Sequence, residues 1–112
     1  PHESANSQMI EDITQMYINA GNENNALVIP VGIAFENAYK HNPDIQLHKS
    51  FDGSHPSLLG TYLAACVVFS SITHETPLNI QYNYFNKISD EDKKFLQRMA
   101  HQTVEDFFKI EL

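Results

Sequence analysis

The stretch ALVIPV, residues 26–31, is the part of the sequence that decides the predicted fold. It is a continuous apolar run rich in β-branched residues, which is typical of a strand buried on both faces of a parallel sheet. Pro30 has no amide hydrogen for a ladder, so we expect the strand to end there or to lie near a sheet edge. The run therefore predicts the α/β fold class, with one clear strand of the parallel type.

Four helical patterns surround this strand. Each combines a helix-start or helix-end signal, such as an N-cap serine, an N1 proline or a terminal glycine, with apolar residues at helical spacing. The third pattern is apolar on nearly every side and is predicted to need protein around most of its circumference. The predicted helices run from about Ser7 to Gly21, from about Val31 to before Pro43, from Pro56 to about Ser71, and onward from Ser89.

A single strand cannot form a sheet, so part of the predicted architecture must be supplied from elsewhere. Residues 1–112 are accordingly predicted to be either a single domain or the C-terminal fragment of a larger α/β domain. The all-round apolar third helix would expose a large patch unless something covered it. This favours a homo-oligomer or association with a missing N-terminal segment.

Composition narrows the classes of partner. The chain has 112 residues, a formal net charge of −7 and no run of lysine or arginine, which argues against binding to nucleic acid or to an anionic membrane surface. Its longest apolar run, Leu63 to Phe69, is far shorter than the roughly 20 residues that a spanning helix needs. The sequence therefore predicts a soluble protein and leaves its compartment open.

The sequence contains no pattern that is typical of a metal site or of a disulfide bond. The single cysteine, Cys66, lies within the apolar third helix and is predicted to be a small buried side chain. The histidines other than His55 show no HxH, HExxH or paired-cysteine spacing, so surface or helix-capping roles are expected for them. No metal and no cofactor are predicted. These other histidines are His2, His41, His48, His74 and His101.

The chemistry concentrates in DGSHPS, residues 52–57, where an acid and an imidazole are three residues apart on a glycine-containing loop before a helix. A general base for ester cleavage needs its imidazole held in one tautomer by a carboxylate, with the other ring nitrogen facing a hydroxyl. Asp52 and His55 are therefore the predicted catalytic pair. The alternative is an exposed turn in which Ser54 or His55 only caps the next helix.

The longer stretch FDGSHPSLLGTYLAACVVF resembles the last motif block of the SGNH or GDSL-like hydrolase superfamily. In that block a DxxH loop carries the triad acid and base, which correspond here to Asp52 and His55. Residues 26–72 are similar to a bacterial subgroup described only as a domain of unknown function, and ISDEDKKFLQRMAHQTV is also similar in pattern. The resemblance implies a flavodoxin-like three-layer α/β domain and a serine esterase that acts on a small-molecule or carbohydrate ester.

The chain departs from the superfamily in one important respect. The nucleophile of these enzymes lies in a GDS-like block, and their oxyanion glycine and asparagine lie in further blocks; none of these is present in the 112 residues. We therefore expect the chain to be inactive as an esterase by itself and active only when another segment completes it. A secreted or periplasmic parent protein is compatible with the resemblance. The alternative function is a non-catalytic α/β segment or interaction module that keeps the DxxH loop as scaffold.

Overall fold

The computed structural model describes residues 7–50 and 55–112. Their regular structure consists of four α-helices and one short 3-10 turn. In chain order the elements are α1 (Ser7–Asn24), α2 (Val31–His41), α3 (Leu58–Thr73), the 3-10 turn (Pro77–Asn79) and α4 (Asp90–Phe108).

The predicted α/β fold class, and with it the flavodoxin-like architecture, is wrong for the described part of the chain. Residues 26–30 form neither helix nor strand, and Val31 is already the first residue of α2. Pro30 explains part of the difference, because its carbonyl accepts the amide of Ala34 at 3.1 Å and so opens the helix. The remaining reason is that a strand needs neighbouring strands, and none lies beside this segment among the residues described.

The helical core is built by α3 and α4, with α2 packed against both. Leu63 and Val67 of α3 and Leu96 of α4 are completely shielded from solvent, as are Ala34 and Ala38 of α2. Full burial of a leucine or valine side chain contributes about 1.5–3 kcal/mol each, so this cluster is the main source of stability. Three loop side chains, Ile45, Leu47 and Ile88, complete it.

The ends of the helices differ in how well the sequence predicted them. Ser89 is confirmed as an N-cap, since its Oγ accepts the amide of Asp92 at 3.1 Å. Pro56 was predicted as the first residue of α3, but the helix begins two residues later, at Leu58, with Ser57 as its N-cap. Gly21 lies inside α1 rather than at its end, and its missing side chain leaves space for Val28.

The burial of α3 is one-sided rather than complete. Tyr62 and Cys66 are buried, as predicted for the cysteine, but Ile72 is 64% exposed. The prediction that protein would surround most of this helix is therefore wrong along one face, where Leu58, Val68 and Ile72 are exposed. None of the described helices combines the length and apolarity required to cross a bilayer.

Candidate functional site

His55 lies on an exposed loop immediately before α3. Its backbone carbonyl accepts the amide of Lys49 at 2.7 Å, and Ser57, two residues further on, caps the helix. The main chain at His55 is thus fixed on both sides, although the imidazole belongs to an exposed residue. His55 therefore combines a fixed backbone with an exposed position at the entrance to α3.

A short antiparallel contact, which we call the clasp, holds this loop closed. It joins residues 47–49 to residues 55–57 through a bridge between His48 and Pro56. A second hydrogen bond, from the amide of Ser57 to the carbonyl of Leu47 at 2.8 Å, completes it. Asp52, the predicted partner of His55, belongs to residues 51–54 and lies outside the described residues.

Ser57 and Gly60 anchor the clasp to α3. The Ser57 hydroxyl donates to the carbonyl of Gln46 at 2.6 Å and accepts the amide of Gly60 at 3.2 Å. Gly60 is required by close approach, because a Cβ there would overlap the carbonyl oxygen of Leu47. The glycine in the HPSLLG stretch therefore allows the backbone of residues 47–49 to lie directly on the helix.

His48 connects the clasp to α2 through contacts that the sequence did not predict. The hydroxyl of Tyr39 accepts the amide of Leu47 at 3.1 Å, so its own hydrogen is available for Nδ1 of His48, 2.8 Å away. The ring stacks on Tyr39 with a centroid distance of 5.8 Å and meets the edge of Phe35 at 5.3 Å. This arrangement favours the tautomer with the proton on Nε2. No spacing motif marks such a contact, because Tyr39 lies in α2 and His48 lies in the loop.

A shallow hollow of about 430 Å³ borders the clasp on the side of α4. Its lining includes Lys49, Ser57, Lys87 and Asp92, together with the apolar side chains of Leu58 and Leu59. The hollow thus combines two ammonium groups and a carboxylate with an apolar floor.

The other described histidines lie apart from this loop. Nδ1 of His41 bonds to the carbonyl of Asn37 at 2.9 Å, and His74 adopts a left-handed conformation as the C-cap of α3. His101 contacts Thr76 at 2.9 Å and lies 3.3 Å from Glu105. Capping or surface contacts account for His41 and His74, whereas His101 is partly buried and links α4 to the residue before the 3-10 turn. Among the described residues, no group of three or more His, Cys, Asp or Glu side chains could hold a metal ion.

Comparisons of the chain with protein-family models, with curated proteins and with solved structures gave no significant match. The resemblance of residues 26–72 to the SGNH superfamily consequently rests on the sequence pattern around Asp52 and His55.

Proposed function

We propose that this chain contributes the general base of a serine-type ester hydrolase, with His55 as the base and Asp52 as its orienting acid. The observation that carries the proposal is the position of His55, exposed at the entrance to α3 with its backbone fixed by the clasp. The DGSHPS motif supplies the carboxylate three residues earlier. The nucleophilic serine comes from polypeptide outside these residues.

In the proposed reaction, His55 removes the proton of the serine hydroxyl as the oxygen attacks the ester carbonyl. The resulting imidazolium is stabilised by the Asp52 carboxylate and then gives its proton to the departing alcohol. Water attacks the acyl-serine in the second half-reaction, and His55 again takes and returns one proton. The products are a carboxylic acid and an alcohol.

The test compares p-nitrophenyl acetate hydrolysis by the full-length natural protein that carries this chain with hydrolysis by two histidine variants. His55→Ala should lower kcat/KM by at least about a hundredfold, the usual contribution of a general base. His41→Ala removes an exposed histidine whose ring bonds only to the end of its own helix, and it should leave the rate within about twofold. Equal rates for wild type and His55→Ala would reject the proposal.

A second candidate is an interaction module in which the DxxH loop is scaffold only. It is favoured by the contacts that hold the loop to the rest of the protein. Ser57 caps α3, and the backbone of Leu47 packs directly against Gly60. These contacts would hold the loop in place whether or not it is catalytic. An inactive full-length protein that folds normally and binds a partner would support this function.

A further inference from the structure

A long apolar groove lies away from the clasp. It has a volume of about 680 Å³ and is lined by one face of α1, by residues 26–33 and by Phe107 of α4. No charged side chain belongs to this lining among the described residues. Several large apolar side chains there are open to solvent, including Tyr17 at 57% and Leu27 at 55% exposure. A monomer rarely leaves so continuous an apolar surface without a use for it.

Part of the backbone along one wall of the groove lacks hydrogen-bond partners among the described residues. Among the described residues, Leu27 and Val28 make no backbone hydrogen bond; the neighbouring bonds involve the amides of Ala26 and Val31. Residues 26–29 keep negative φ angles and are not helical, and Ile29 is further restricted to extended conformations by Pro30. Among the described residues, this wall therefore presents the amide and carbonyl groups of Leu27 and Val28 without backbone partners, beside apolar side chains.

The position of this wall is fixed by the end of α1. The chain reverses after Asn25, which has a left-handed backbone, and the amide of Ala26 donates to the carbonyl of Gly21 at 2.9 Å. Val28 then packs over Gly21, where a Cβ would approach its Cγ2 to 2.6 Å. Residues 26–29 are consequently held against α1, so their backbone is already in place before anything binds to the groove.

The charges around the groove are all negative on the α1 side. No lysine or arginine precedes Lys40 in the sequence. With 3.6 residues per turn, Glu11 and Glu23 each lie about 120° around α1 from the centre of its groove-lining face, on opposite sides, and Asp106 directly precedes Phe107. A second copy of this chain would bring the same carboxylates into contact with each other, whereas a ligand with basic flanks would be attracted.

We propose that this groove binds an extended apolar segment of a partner protein, flanked by lysine or arginine and paired with the backbone of Leu27 and Val28. Backbone pairing is the step that distinguishes this ligand from a small apolar molecule, because only a polypeptide repeats donors and acceptors at the spacing of the wall. The apolar side chains of the segment lie on Tyr17, Leu27 and Phe107. Its basic ends face Glu11, Glu23 and Asp106.

Fluorescence anisotropy with the intact 112-residue chain tests the proposal. The probe is a fluorescein-labelled nonapeptide, KKVTVTVKK. A second peptide carries N-methyl groups on its alternate valine amides, and a third, EEVTVTVEE, reverses the flanking charges. The first peptide should bind with saturation, and both altered peptides should bind at least about tenfold more weakly, equivalent to about 1.4 kcal/mol.

Two matched variants locate the binding. Leu27→Asn and Ile72→Asn both replace an exposed aliphatic side chain by the same neutral polar one, but only Leu27 lines the groove. Leu27→Asn should weaken the first peptide at least about tenfold, and Ile72→Asn less than about twofold. Circular dichroism of both variants checks that the helices are retained.

Three results would overturn the proposal. The first is no saturable binding of KKVTVTVKK, and the second is equal binding of the N-methylated peptide, which would indicate a site for apolar molecules without backbone pairing. The third is a dimer of the wild-type chain in analytical ultracentrifugation that Leu27→Asn converts to a monomer. That result would show that a second copy occupies the groove.

Discussion

Gly60 lies so close to the carbonyl of Leu47 that there is no room for a Cβ atom at position 60. This contact holds the loop that carries His55 against α3. Alanine normally stabilises a helix relative to glycine, by roughly 1 kcal/mol. At position 60 the added Cβ would instead push the clasp away from α3, because the atom that it meets is backbone and cannot rotate aside.

We therefore predict opposite effects for two glycine-to-alanine changes. Gly60→Ala should lower the free energy of unfolding by about 1–3 kcal/mol, the usual range for overpacking. Gly32→Ala, on an exposed position of α2 where a Cβ meets nothing within 4 Å, should raise it by about 0.5–1 kcal/mol. Urea unfolding followed by circular dichroism measures both. A stabilised Gly60→Ala protein would contradict the structural role of this contact.

At this scale the sequence predicted residue types better than contacts. The DGSHPS motif pointed to His55, and the exposed loop position of His55 is compatible with that prediction. It also marked a helix start close to the true one. The role of His48 could not be predicted, because its hydrogen bond with Tyr39 joins two elements whose packing depends on the whole fold.

At the scale of elements, the segment 26–30 shows the limit of pattern reasoning. A short apolar run rich in β-branched residues is typical of a buried strand, but the same composition also fits a connector with one apolar side. Both ends of α2 and the start of α4 were predicted well, since N-caps, prolines and apolar spacing are local signals. Strand pairing is not local, and the described residues offer this segment no neighbour.

Helices α3 and α4 are joined by a buried polar contact. Nε2 of Gln97 donates to the Tyr62 hydroxyl at 2.9 Å and to the carbonyl of Ile80 at 2.8 Å.

Burial raises the pKa of Tyr62 from 10.0 to about 12 and the pKa of the neighbouring Cys66 thiol from 9.0 to about 11. Both groups are neutral when protonated, so the folded core keeps their protons longer than the unfolded chain does.

The sign of this linkage predicts alkaline unfolding. The contribution of Cys66 and Tyr62 to stability is fully present below about pH 9 and is lost progressively as the pH rises towards 12, because the unfolded state ionises first. Urea unfolding at a series of pH values should show this decline. Cys66→Ala should be less stable at neutral pH, through loss of packing, but its decline should begin nearer pH 10. A wild-type free energy that is constant from pH 9 to 12 would contradict the prediction.

At the scale of the whole molecule, the two candidate surfaces lie in different parts of the fold. The clasp and its hollow lie between α2, α3 and α4, whereas the groove depends on α1 and the segment that follows it. The predicted need for a covering partner was based on α3, whereas none of the described residues that line the apolar groove belongs to α3. Composition could predict that such a surface would exist, but only packing determines which helix leaves it open.

The most direct test of the proposed function is a double-mutant cycle on kcat/KM for p-nitrophenyl acetate, using the full-length natural protein with Asp52→Asn, His55→Ala and both changes together. Residues that act as one catalytic unit are strongly non-additive. We predict that Asp52→Asn lowers the rate substantially in the wild-type background and by less than about twofold once His55 is alanine. An equal effect of Asp52→Asn in both backgrounds, or full activity of His55→Ala, would contradict the assignment of these residues as a catalytic pair.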